Sequence, residues 1–126
     1  MGENEHLEAV LAALHAIRAR RLDDEIAYLH PLVSGALGNA GIGHRHEVKL
    51  GPRSRVDFLT DAGVAVEVKK SRPRRADLMR QLEKYAAHDA ISAIVLVLER
   101  SVPLPDTIGG KPVRSVSLNM LWGPAV

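Results

Sequence analysis

The sequence predicts an α/β domain in which helices flank a mixed β-sheet, in the order helix, helix, three strands, helix, strand, strand. Three observations carry this expectation. Leu7, Val10, Leu11, Leu14 and Ile17 recur at helical spacing. HRHEVKL, RVDFLT and VAVEVKK alternate as strands, separated by the turns GPRS and DAG. ISAIVLVLE is almost continuously apolar and β-branched, as expected of a central strand covered on both faces.

Taken in order, Asn4 can cap the first helix, whose outer face is charged and which ends near RARR. A second helix begins near Asp23, a plausible N-cap, and runs toward Gly38 with Leu29, Val33 and Leu37 on one face. Pro31 must either kink that helix or start a new one. The first strand places His46, Val48 and Leu50 on one side. After the basic, proline-broken loop SRPRR comes a helix from Ala76 to about His88, with Leu78, Leu82 and Tyr85 facing inward. VRSVSL adds an edge strand near the C-terminus.

A chain of 126 residues suits one domain spanning 1–126, with its core at about 23–100. The absence of cysteine excludes disulfides and thiolate zinc sites and suits a reducing cytoplasm. The N-terminus lacks the basic flank and apolar core of a secretory signal. The longest apolar run, Ala93 to Leu98, is far too short to span a bilayer, so no membrane association is expected. A net charge of +2 implies nothing by itself about nucleic acid, and the placement of the basic residues matters more.

The loop Asp61-Ala62-Gly63 fits a three-residue hairpin in which Gly63 takes the positive-φ position. Thr60 then opposes Val64, Phe58 opposes Val66 and Val56 opposes Val68, stacking apolar on apolar. On the other face Asp57 lands opposite Glu67, with Lys69 two residues along. A two-residue loop would mix the faces, so the hydrophobic pattern selects the register that joins two carboxylates. Directly opposed like charges destabilise a sheet by up to roughly 1 kcal/mol. A divalent cation together with Lys69 would relieve that repulsion, and hard oxygen ligands suit Mg2+ or Mn2+. The bland alternative makes Glu67 and Lys69 the solvated face of an edge strand. His44 and His46 share a strand face and suggest a metal pair, but no third ligand is in view.

RVDFLTDAGVAVEVKK resembles the PD-(D/E)XK nuclease superfamily, whose signature is an aspartate, a short hairpin and then Glu-x-Lys on the next strand. The resemblance covers about Glu25 to Leu98, with a helix before, a helix after and a buried strand last. Val56 stands where the signature has proline. The resemblance implies a restriction-endonuclease-like αβββαβ core with an extra N-terminal helix. It also implies metal binding by Asp57, Glu67 and the carbonyl of Val68, with Lys69 acting on the attacking water or the developing phosphorane charge. Many members add a helix glutamate; Glu25 is the candidate, with Asp24 as fallback, though a helix-dipole acid is an equal reading. Gln81 and Tyr85 match the Gln-x-x-x-Tyr pattern of the helicase-linked exonuclease branch, while Tyr85 also reads as core.

Lys70, Arg72, Arg74 and Arg75 follow the catalytic strand directly, where a phosphate backbone would pass. The expectation is therefore a Mg2+- or Mn2+-dependent deoxyribonuclease acting in repair or recombination as a structure-selective endonuclease, similar to Holliday-junction resolvases. Exonuclease action is the runner-up, and a non-catalytic DNA-binding module on a nuclease fold is the rival from another class. A homodimer is expected, paired through the first helix and its stripe Leu7, Leu11 and Leu14; that stripe could instead cover its own sheet.

Overall fold

A computed structural model of the chain describes residues 2–17, 25–69 and 73–118. Among these lie three helices, α1 (Glu3–His15), α2 (Glu25–Asn39) and α3 (Arg75–Ala86). Six strands accompany them: β1 (His44–Gly51), β2 (Ser54–Thr60), β3 (Val64–Lys69), β4 (Ala93–Leu98), β5 (Thr107–Ile108) and β6 (Lys111–Ser117). The strand order is β1-β2-β3-β4-β6-β5. β1–β2 and β2–β3 are antiparallel, β3–β4 and β4–β6 parallel, and β5–β6 antiparallel, so the sheet is mixed as expected.

Each face of the sheet buries its own apolar cluster. On one side α1 and α2 bring Leu14, Leu29 and Leu37 against Phe58, Val66, Val95 and Val116. On the other, α3 brings Leu78, Leu82 and Tyr85 against Leu59, Ala65, Ile94 and Leu96. All six residues of β4 are buried, which explains its unbroken apolar sequence.

α1 opens one residue before Asn4, behind Gly2, with no side-chain cap; the expected Asn4 cap is therefore corrected. Pro31 neither ends α2 nor starts another helix. An interior proline costs about 3 kcal/mol or more, whereas each fully buried Leu or Val contributes roughly 1.5–3 kcal/mol. Leu29, Val33 and Leu37, all at 1% exposure or less, outweigh it. The proposed cap Asp23 lies outside the described residues.

The apolar stripe of α1 is used within the monomer. Leu7 and Leu14 are buried in the core, and Leu11 packs against the same cluster. The surface on which the homodimer expectation was built is thus already covered, and that expectation is corrected. No helix among the described residues is long and apolar enough to cross a membrane.

The hairpin closes as its sequence requires. Gly63 takes φ +93°, and its N–H donates to the Thr60 carbonyl at 2.9 Å. A Cβ there would meet the Ala90 carbonyl oxygen at 2.7 Å, inside van der Waals contact. Gly63→Ala should therefore lose at least the roughly 1–3 kcal/mol of a strained backbone position. Urea unfolding checks this, and an unchanged midpoint would show that the turn tolerates a side chain.

Candidate active site

β2 and β3 pair through Leu59–Ala65 and Phe58–Val66, the register expected from the hairpin. One step further along, side chains take over the bridging. The Asp57 backbone N–H donates to Glu67 Oε1 at 3.0 Å, and the Val68 N–H donates to Asp57 Oδ2 at 2.8 Å. The two carboxylates are indeed brought together, but each caps a backbone donor of the opposite strand. Peptide dipoles thereby offset part of the repulsion expected between them.

The alternation of the sheet breaks at the same place. Glu47, across from Asp57 between the pairs His46–Phe58 and Val48–Val56, has φ +53°. That conformation is uncommon for a residue with a side chain. Beyond it the faces exchange. His46 stacks on Phe58 at 4.7 Å on the α1/α2 side, whereas Val48, Leu50 and Val56 pack with the α3 cluster. The expectations that His46, Val48 and Leu50 share a side, and that Val56 faces the same way as Phe58, are corrected by this kink.

Glu67 is 5% exposed, so the solvated-face alternative does not describe it. Its Oε2 accepts from Tyr85 Oη at 3.0 Å and Gln81 Nε2 at 3.2 Å, with Lys69 Nζ at 3.4 Å. Gln81 Nε2 also donates to Tyr85 Oη at 3.0 Å. Tyr85 has a second acceptor, the Arg55 carbonyl at 2.9 Å, and only one proton to share between the two. A protonated Glu67 resolves this, donating to Tyr85 Oη while the phenol donates to Arg55. Burial, and then the nearby Asp57 charge, push the Glu67 carboxyl above its ordinary range despite Lys69. Burial followed by the Glu67 charge pushes the Tyr85 phenol upward as well, so it stays a donor. Tyr85 is thus both core and site: its ring is buried and its hydroxyl serves Glu67 rather than solvent.

A participant that the sequence reading missed is His30, from α2. It is 7% exposed, its Nδ1 lies 2.8 Å from His46 Nε2, and its Nε2 has no hydrogen-bond partner and sits 3.4 Å from Asp57 Oδ2. Its spacing was the available signal, since His30 precedes Val33 by three residues and Leu37 by seven on the buried stripe. His44 does not form a metal pair with His46: its nitrogens bond the Ile42 carbonyl at 2.9 Å and Ser34 Oγ at 2.8 Å.

The remaining expected residues are less gathered. The side chain of Glu25 lies outside the described residues, as do Asp24, Lys70 and Arg72. Arg74 is highly exposed and 4.0 Å from Asp77, while Arg75 donates to the Pro103 carbonyl. Val68 enters the site through its backbone N–H.

The donor set fits a divalent cation. Asp57 and Glu67 offer hard carboxylate oxygens, and the orphaned, buried His30 Nε2 faces Asp57. Among the described residues no three His, Cys, Asp or Glu side chains form a complete cage. Magnesium does not demand one, because it keeps several waters and takes one or two carboxylates.

The raised Glu67 pKa makes a prediction with a definite sign. A carboxyl that binds its proton more tightly folded than unfolded contributes most below its unfolded pKa. That contribution is lost as pH rises through the folded value. Metal-free wild type should therefore lose more stability from about pH 5 to about pH 8 than Glu67→Gln does. Parallel urea-unfolding profiles for the two would mean that Glu67 ionises normally. Comparison with known proteins returns no matching family model, no matching curated protein and no matching solved structure.

Proposed function

We propose that this protein is a metal-dependent deoxyribonuclease of restriction-endonuclease-like fold that hydrolyses DNA phosphodiester bonds. The observation that carries the reading is the joining of Asp57 and Glu67 across β2 and β3, with the Lys69 ammonium 3.4 Å from Glu67. Buried carboxylates next to one another and to a cation are costly to keep, and such perturbed groups concentrate at functional sites.

When bound by Asp57 and Glu67, Mg2+ or Mn2+ supplies Lewis-acid stabilisation of the phosphodiester and lowers the pKa of water. The chain's own groups do the positioning. His30 backs Asp57, while Gln81 and Tyr85 fix the Glu67 carboxylate from the α3 side. Lys69, a quarter exposed, points its charge where a pentavalent phosphorane would gather negative charge. The residues of a decayed, merely DNA-binding module would have no reason to keep this set assembled.

Exonuclease action is a second reading, favoured by the direct contact of Gln81 and Tyr85 with Glu67. The structure-selective endonuclease acting on branched DNA in repair or recombination remains the first. A circular duplex separates them, since an exonuclease leaves it intact and an endonuclease nicks or opens it.

Asp57→Ala and Glu67→Ala should abolish Mg2+-dependent cleavage, and Lys69→Ala should slow it by about 10²–10³, the usual range for losing one charge-stabilising donor. Cleavage by both carboxylate variants at the wild-type rate would remove the assignment. Mg2+ should also raise the melting temperature of wild type, by an amount equivalent to about 2.7 kcal/mol at a hundred times its Kd. The same Mg2+ should leave Asp57→Ala unmoved.

A further inference from the structure

Beside Glu67, between the β1–β2 turn and α3, lies a cavity of about 280 Å³. That is near the lower end of the roughly 300–1,000 Å³ typical of ligand pockets. Four cations line it, Arg53, Arg55, Arg80 and Lys84, against the single carboxylate of Asp77. Asp77 is already engaged by Arg80, with Arg74 at 4.0 Å. Arg55 reaches Glu47 at 3.3 Å. Among the described residues no carboxylate pairs with Arg53 or Lys84. Ser54, in the same wall, has a buried Oγ with no hydrogen-bond partner.

Like charges held together at a concave surface, with an unmet hydroxyl among them, fit an anion. Gln81 and Tyr85 line this cavity and also bond Glu67 Oε2, so the cavity and the carboxylate site share a wall. Ser54 and Arg55 open β2 where antiparallel β3 ends at Lys69, so cavity and site occupy the same end of the sheet. We propose that this cavity seats a backbone phosphate of the cleaved strand, adjacent to the phosphodiester held at Asp57, Glu67 and Lys69. The assignment rests on the nuclease reading and specifies the side from which DNA approaches. It runs over the β1–β2 turn and the middle of α3, in addition to the basic loop that follows β3.

Arg53 and Lys84 are exposed and touch neither carboxylate, so removing them leaves fold and catalytic groups in place. The test measures anisotropy of a labelled DNA duplex with the full chain in chelator, across a salt series. Arg53→Ala/Lys84→Ala is compared with Arg45→Ala/Arg114→Ala, which removes the same charge from exposed positions outside the cavity. The cavity pair should weaken binding to all sequences alike and lower the slope of log K against log salt by about 2, one for each lost phosphate contact. With Mg2+ present it should raise KM far more than it lowers kcat. Inorganic phosphate at equal ionic strength should not displace the duplex, which distinguishes a strand phosphate from a free one.

An unchanged slope, or an equal fall in the control pair, would overturn the assignment; so would displacement by inorganic phosphate. If wild type still cuts DNA in those cases, the cavity assignment alone is lost. A wild type that neither binds nor cuts DNA removes the nuclease reading with it.

Discussion

Glu67 occupies an interior position of β3, between β2 and the fully buried β4, and its carboxylate must be satisfied there almost without bulk water. Stranding a charge in such a place would cost several kcal/mol. The protein meets that requirement from three directions: the Asp57 backbone N–H, the Lys69 ammonium, and the Gln81 and Tyr85 side chains of α3. The seating of α3 on the sheet is thereby tied to one carboxylate. Tyr85 contributes its ring to the core and its hydroxyl to Glu67, so packing and site chemistry are carried by the same residue.

A regular antiparallel ladder would leave no opening for a reactant at this point. Here it gives way where Asp57 and Glu67 take up the opposing N–H groups, and Glu47 on β1 turns to positive φ directly across from Asp57. Departures from regular backbone concentrate at functional positions because the surrounding packing must hold them there. The change of face sends His46 toward α2, where it meets His30, and Val48 toward α3. Asp57 is therefore backed from α2 and Glu67 from α3. Two carboxylates on neighbouring strands are gripped from opposite layers, which limits how far either can swing.

Charge is distributed in keeping with this arrangement. The carboxylates are inside or half-buried, and the cations of the cavity, Arg53, Arg55, Arg80 and Lys84, stand at the rim on the α3 side. A polyanion drawn to the rim is thus led toward the carboxylates. The net charge of +2 gives no hint of this, because the acids of α1 offset it elsewhere in the chain.

Patterns that depend only on local periodicity were legible in the residues themselves. The alternation of β2 and β3 and the positive-φ glycine of a three-residue loop were enough to set Asp57 beside Glu67, because a one-residue slip would expose the valines. The unbroken apolar run of β4 and the inward face of α3 were equally plain. What the sequence could not determine were the effects of distant segments on one another. Strict alternation gives no sign of the kink at Glu47, which arises from how three strands meet. His30 joins Asp57 only because α2 packs over Phe58, a contact between residues far apart in the chain. The destination of the α1 stripe was likewise undetermined, since an amphipathic helix carries the same pattern whether it covers its own sheet or a twin. Packing in three dimensions resolved it: the sheet had an uncovered apolar face, and α1 with α2 lies on it.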